Sequence, residues 1–377
     1  MKGRTQLNAP SVRSRLLTVI GTRPQFVKYG ALADRLRAHF DEILVDTGQH
    51  YDNALSSDFL DEFELPRPGH VLKRGGGTAS QQVSDMLREL SRVVELEKPD
   101  WILCLGDTNS TLAAGLSGML LGLPVVHLEA GERSFRSGGG RVTPWSIPEE
   151  ANRVLVDQIS SLLLCASKRA ARNLEHDCVS GEIVWTGDIM YDLYRQNIDR
   201  IVEESDTLNR LGLEPGGYHY ATIHRAANTD DVNRLGAIFS ALASLDRDVV
   251  IPLHPRTENS LRHFGLWKRV SESANLRLLQ PVKYADSIAL SYHARRVITD
   301  SGGVVREAYF GGVLSVMVDD TTEWIDIVDG GWCVLAGADA EAIRDGVYRE
   351  PPGGERSLLG EGDAVERVIT ALREWMR

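Results

Sequence analysis

Asp107 in LGDTNST, Glu129 in HLEAGER and Glu149 in IPEEANR place three carboxylates just beyond apolar runs or at a helix start. His224 in TIHRAANT and His254 in LHPRT add imidazoles at corresponding places further along the chain. Acids that converge with a histidine suit proton transfer, because desolvation and mutual repulsion can lift a carboxyl pKa towards neutrality. The same acids suit helix capping: Glu149 and Glu150 follow Pro148 and open EEANRVLVDQIS, where the helix dipole favours first-turn negative charge.

A second group suits anion binding. In TDSGGVVREAYFGG, Ser301, Gly302 and Gly303 can present backbone N–H groups at a positive helix terminus, and Glu307 follows one turn later, where it could reach a ribose hydroxyl pair. SGG is equally a plain turn before a capped helix. Arg23 and Lys28 in GTRPQFVK follow the first apolar run and could neutralise a diphosphate from the other side of a cleft. Neither a GxGxxG turn nor a GxxxxGK[ST] loop occurs, which disfavours a tightly bound dinucleotide and ATP-type chemistry.

The elements that must position these groups are legible as alternation. LLTVIGT, EILVDTG, DWILCLGDT, PVVHLEAG and SLLLCAS are apolar runs separated by segments with helical spacing, such as SQQVSDMLRELSRVVELEKP. The pattern restarts with YHYATIHR, DVVIPLH, LRLLQP, RRVITDSGG and LSVMVDD. Strands apolar on both faces and alternating with helices predict an α/β architecture of two doubly wound parallel sheets, joined near residues 190–205. Ligands of such sheets lie beyond the carboxyl ends of the strands, where the groups above are found.

With 377 residues and 42% hydrophobic side chains, the chain exceeds one ordinary core and divides most naturally into two. A formal charge of −11 argues against tracking nucleic-acid phosphates or an anionic membrane, while leaving room for a small anion held by a few local cations. No apolar run approaches a membrane span, and the polar, arginine-bearing start lacks a signal-peptide core, so we expect a cytoplasmic protein. Cys104, Cys165, Cys178 and Cys333 are scattered without metal-type spacing. Three sit in apolar runs and read as inert buried thiols. No metal and no cofactor are expected.

Taken in order, GTRPQFVK, DTGQHYD, LGDTNSTLAAG, HLEAGERS, PEEANRVLVDQIS, TGDIMYD, TIHRAANTDD, LHPRT and TDSGGVVREA resemble the non-hydrolysing UDP-N-acetylglucosamine 2-epimerase family from about residue 16 to the carboxyl end. The resemblance implies a GT-B fold: a first Rossmann-like domain at 14–190 facing the sugar, a second at 191–362 holding UDP, and a terminal helix at 363–377 that crosses back to the first. It also implies a homodimer. By motif, Asp107, Glu129, Glu149 and His224 correspond to the family's catalytic group, and Arg23, Lys28, His254, Ser301, Gly302, Gly303 and Glu307 to its nucleotide-binding positions. The implied reaction is C2 epimerisation of a UDP-amino sugar, most naturally UDP-N-acetylglucosamine to UDP-N-acetylmannosamine, through anti elimination of UDP, a glycal and re-addition. One carboxylate would be the base, and His224 would act near the departing phosphate.

Several features depart from the family pattern. Trp324, in TTEWIDIVDGGW, stands where many members carry arginine, and with the other motifs this looks closer to the branch that epimerises UDP-2,3-diacetamido-2,3-dideoxy-glucuronate. Asp52 in GQHYD and Ala226 and Ala227 in HRAAN replace polar residues used for allosteric activation, so none is expected. Between Glu129 and PEE the chain carries extra residues within 134–147, where RSGGGRVTP reads as a mobile cover and Arg133, Arg136 and Arg141 either approach an anionic substrate or keep a loop solvated. Glu150 reads as structural. A hydrolysing 2-epimerase, a GT-B glycosyltransferase and a non-catalytic nucleotide-sugar sensor are the competing functions.

Overall fold

A computed structural model describes residues 13–49, 65–354 and 356–376. The first sheet is built from β1 (Arg15–Ile20), β2 (Asp41–Asp46), β3 (His70–Val71), β4 (Trp101–Leu105), β5 (Val125–Leu128), β7 (Leu162–Cys165) and β8 (Glu182–Trp185), with β6 (Phe135–Arg136) standing outside it. Its order is β3-β2-β1-β4-β5-β7-β8, every pair parallel. The second contains β9 (Tyr218–Thr222), β10 (Asp248–Pro252), β11 (Leu276–Leu279), β12 (Arg296–Thr299), β13 (Ser315–Met317) and β15 (Cys333–Leu335), in the order β11-β10-β9-β12-β13-β15 and again parallel. All ten apolar runs read from the sequence become strands of these sheets.

Each sheet is apolar on both faces because helices cover both. Leu16, Leu17, Val19 and Ile20 of β1 are fully buried, as are Ile102, Leu103, Cys104 and Leu105 of β4. The two sheets are joined through the helix Ile189–Glu204, whose Tyr191 stacks on Phe310 of the helix Gly302–Gly311 at 4.8 Å. The terminal helix Ala364–Trp375 returns to the first sheet. Its Trp375 meets Trp101 edge-on at 4.2 Å, and the Asp192 carboxylate accepts the N–H groups of Ala364 and Val365 at its start. Cys104, Cys165 and Cys333 are buried and Cys178 is exposed, all as free thiols.

The glycine-rich insertion is a hairpin. Phe135 bridges Arg141, Val142 N–H donates to the Ser134 carbonyl, and Gly138 and Gly139 make the turn at positive φ (91° and 93°), where a β-carbon would be strained. Its outer strand β6 pairs antiparallel with β14 (Thr321–Thr322), matching Phe135 to Thr322 and Arg136 to Thr321. The segment expected as a mobile cover is therefore stapled at its base to the second half of the molecule. Two of its arginines are also committed elsewhere: buried Arg133 pairs with Asp157 at 2.7 Å and Asp177 at 3.0 Å, and Arg141 takes Asp177 by both terminal nitrogens at 2.8 Å. Only Arg136 remains exposed. Sequence spacing alone cannot pair a loop arginine with Asp177 more than thirty residues away.

Candidate active site

A cleft of about 350 Å³ opens between the sheets, at the carboxyl ends of β1, β9, β10 and β12. Arg23, Lys28, His224, His254, Ser301, Gly303 and Glu307 line it, so seven of the eleven residues singled out in the sequence meet in one cavity. Ile223, Leu253, Val282 and Val304 give it apolar walls.

Local sequence explains the placements. Thr22 and Gln25 form a capping box, Pro24 suits the first turn, and the Gln25 amide donates to the Leu105 carbonyl at 2.8 Å, which docks the helix Arg23–His39 against β4. Arg23 is thereby left exposed at the cleft, while Lys28 is buried and aimed inward. Ser301 caps the helix Gly302–Gly311 through Val304 N–H. Gly302 does not line the cleft. A β-carbon there would meet Glu323 Oε1 at 2.5 Å and Trp324 Nε1 at 2.9 Å, so any larger residue would displace the side chains of the TTEW segment.

Glu307 is buried beside Tyr284. Burial pushes its carboxyl up to about 7, although a hydrogen bond with Tyr284 and the charges of Arg306 and Arg23 pull the other way. His224 turns Nδ1 to Asp300 Oδ1 at 3.1 Å. Asp300 also accepts the backbone N–H groups of His224 and Arg225 and the Asn228 amide. Burial alone would raise the Asp300 pKa, but these bonds and the His224 charge hold it below the ordinary carboxylate range. His254 Nδ1 accepts Arg256 N–H, and burial followed by the charges of His224 and Arg256 pushes its imidazole pKa down. The two rings lie 5.7 Å apart.

Behind this wall stand the carboxylates. Glu129 adopts the left-handed conformation at φ 67°, disfavoured for a residue with a β-carbon, and is held there from two directions. Lys28 Nζ contacts Oε1 at 2.7 Å, and Arg306 Nη1, from the opposite sheet's helix, contacts Oε2 at 3.3 Å. Burial would raise the Glu129 pKa, yet these cations outweigh it and hold the carboxyl well below its usual range. Arg306 also takes Asp188 at 2.8 Å and stacks on Trp324 at 4.2 Å. Asp107 pairs with Arg153, which also binds Glu150 at 3.0 Å. Glu150, buried, accepts Ser134 N–H at 2.9 Å and is structural as expected. Glu149 is exposed, one turn before Asn152 and Arg153 on the same helix face, and both of those residues bond Asp107.

Sequence reasoning missed Arg153, Asp188, Asp300, Arg306 and Glu323. Each lies inside or beside a motif already singled out, and only Glu150–Arg153, at helical spacing of three, carried a readable pairing signal. Asp52 lies outside the described residues, whereas Ala226 and Ala227 are exposed at the start of a single helical turn beside His224.

Two Rossmann-like parallel sheets facing one another across a cleft that sets charged groups among apolar walls, with a terminal helix returning to the first, define a GT-B nucleotide-sugar protein. The family described as UDP-N-acetylglucosamine 2-epimerase matches residues 34–373. A UDP-N-acetylglucosamine 2-epimerase homolog of Methanococcus maripaludis is 37% identical over 95% of this chain and 99% of its own. The UDP-2,3-diacetamido-2,3-dideoxy-D-glucuronate 2-epimerase of Pseudomonas aeruginosa is 38% identical over 95% of this chain and 99% of its own. The crystal structure of the Methanocaldococcus jannaschii UDP-GlcNAc 2-epimerase, in complex with UDP-GlcNAc and UDP, superposes with a TM-score of 0.84 at 30% identity, covering 96% of this chain and 99% of that one. The chain belongs to the UDP-N-acetylglucosamine 2-epimerase family, a family of isomerases.

Proposed function

We propose that this enzyme inverts C2 of a UDP-linked N-acetylated amino sugar without hydrolysis, converting UDP-N-acetylglucosamine to UDP-N-acetylmannosamine. The observation that carries the reading is Arg306: it stands next to Glu307 on the anion-binding helix and reaches Glu129 on the other wall, so the leaving-group side and the proton-transfer side share one charge network.

The C2 hydrogen is not next to a carbonyl, so its removal must accompany loss of a leaving group. A carboxylate takes the C2 proton, the C1–O bond breaks, and UDP leaves with the electron pair as a glycal forms. Ser301 and Gly303 at the helix terminus, with Arg23, stabilise the diphosphate charge. His224, its ring set by Asp300, hydrogen-bonds the departing phosphate, and Glu307 accepts the ribose hydroxyls. Reprotonation of C2 from the other face and return of the phosphate oxygen to C1 complete the inversion. Asp107, Glu129 and Glu149 supply and orient the proton-transfer groups. Incubation with UDP-N-acetylglucosamine in D2O tests this: deuterium at C2 and UDP-N-acetylmannosamine support it, while free sugar plus UDP, or no exchange, oppose it.

UDP-2,3-diacetamido-2,3-dideoxy-glucuronate is the second candidate substrate. Trp324, buried beneath Arg306, and the 38% identity of the Pseudomonas relative favour it. Parallel assays of the two sugars distinguish them.

Leu96, Met119, Leu120 and Leu155 are exposed on three adjacent helices of the first half, Ala79–Glu97, Asn109–Leu121 and Pro148–Ile159, and support a homodimer closed through that face. No helix of the described residues is long and apolar enough to cross a membrane, in keeping with a cytoplasmic enzyme.

A further inference from the structure

His127 is fully buried in β5, and both of its ring nitrogens face oxygen: Nδ1 lies 2.7 Å from Asp157 Oδ1 and Nε2 lies 2.7 Å from the Gly106 carbonyl. A carbonyl oxygen only accepts. Asp157 is occupied as an acceptor too, taking Arg133 at 2.7 Å and Gly131 N–H at 3.2 Å. A neutral imidazole has one N–H, so it would set lone pair against lone pair at one of these two short contacts. The in-register neighbours of His127 are Cys104 and Leu163, and neither adds a charge, since burial pushes the Cys104 thiol up and keeps it neutral.

We propose that His127 works as a doubly protonated positioning residue, tying the Gly106 turn that bears Asp107 to the strand end that bears Glu129. Gly106 is then gripped at both ends, because its N–H donates to the Leu128 carbonyl at 2.9 Å while its own carbonyl receives His127. The imidazolium is the first member of a row of alternating charges, His127, Asp157, Arg133, Asp177 and Arg141, which ends at the base of the hairpin that pairs with β14. The spacing of the two carboxylates is thus tied to the insertion without either touching it. This matters for rate because a misplacement of about 1 Å costs about 100-fold in turnover. The effect on catalysis rests on the epimerisation proposed above, whereas the protonation of His127 does not.

Nitrogen-15 NMR of the full-length chain labelled at histidine, with His127→Gln to assign the signal, reads the protonation directly. Two protonated ring nitrogens at the pH of the assay are expected, and a neutral tautomer would overturn the proposal. In kinetics, His127→Gln is expected to lower kcat about 10- to 100-fold while KM and UDP affinity stay within about twofold, a split that general loss of structure does not give. Asp107→Asn, measured alongside, separates the two ideas. If it keeps full turnover, the role given to Asp107 fails while the NMR result still stands. If it is inactive and His127→Gln turns over at the wild-type rate, positioning is overturned. Should His127→Gln not fold, Asp157→Asn removes the charge that holds the second proton. One protonated nitrogen and a slower kcat are then expected, and a His127 that keeps both protons at full turnover counts against the proposal.

Discussion

Lys28 Nζ and Glu129 Oε1 stand 2.7 Å apart in the wall between the two sheets, with little of either side chain reaching water. The ammonium is the leading charge that offsets the desolvation of this carboxylate. Removing one member of a buried pair leaves the other uncompensated, so Lys28→Met is expected to destabilise the fold by about 3 kcal/mol, near the low end for such pairs because Arg306 remains. Urea unfolding at neutral pH measures it. Since burial then weighs more heavily on Glu129, the loss should shrink as the pH falls and Glu129 takes up a proton in the variant. A pH-independent difference would show that the two side chains are not coupled.

Glu307 supplies a pH dependence of the opposite kind. Its carboxyl rises from an ordinary value of 4.5 to about 7, so the native state binds more protons than the unfolded chain between those values. Its contribution to stability is therefore full at low pH and is lost as the pH rises to about 7. UDP binding has the reverse sign, since a ribose hydroxyl pair needs the ionised form as acceptor. Calorimetric titration should show UDP affinity rising through about pH 7 and then levelling. Glu307→Gln should weaken UDP about 10- to 100-fold and flatten that slope, as expected for loss of hydrogen bonds to a charged group.

How far the sequence could be read depended on whether a feature was local. Ten strands were legible because each lies in an apolar run, several of them buried throughout, as β4, β5, β7 and β12 are. The strands β3, β8 and β15 were not: all three lie at sheet edges and, apart from Cys333, are only partly buried. Asp107, Glu129 and the SGG turn stood out by following apolar runs, and Glu149 by opening a helix after Pro148. Arg306 did not, because one turn into a helix a basic residue looks solvated until the opposite wall brings Glu129 and Asp188 to it. The hairpin misled for the same reason: three glycines advertise freedom, while the β6–β14 pairing and Asp177 that restrain it lie far away in the chain.

The exposed leucines test the assembly. Leu120 is 68% exposed at the end of the helix Asn109–Leu121, next to Met119, and Leu155 lies on the adjoining helix. Leu120→Asp should convert a dimer to a monomer in analytical ultracentrifugation without lowering the unfolding midpoint of the monomer, because a surface leucine contributes little to the fold itself. A wild-type chain that sediments as a monomer at assay concentrations would end the dimer proposal.

The three carboxylates should separate under isotope exchange. Glu129 is bound by two cations that hold its carboxyl well below the usual range, and Asp107 is engaged by Arg153, whereas Glu149 has no ion pair among the described residues and lies on the helix face that leads to Asp107. We therefore expect Glu149→Gln to suppress C2 proton exchange by about 100-fold or more while leaving UDP affinity near that of the wild type, the signature of a group used in the chemical step. Glu129→Gln should act differently: it releases Lys28 and Arg306 from their shared anion, and a change in substrate affinity should accompany its loss of rate. Washout of label from C2-deuterated UDP-N-acetylglucosamine, followed by NMR in water for each variant, reads these outcomes. If Glu149→Gln exchanges at the wild-type rate while Asp107→Asn does not, the base is Asp107, and the Arg153 pair must open when the sugar binds.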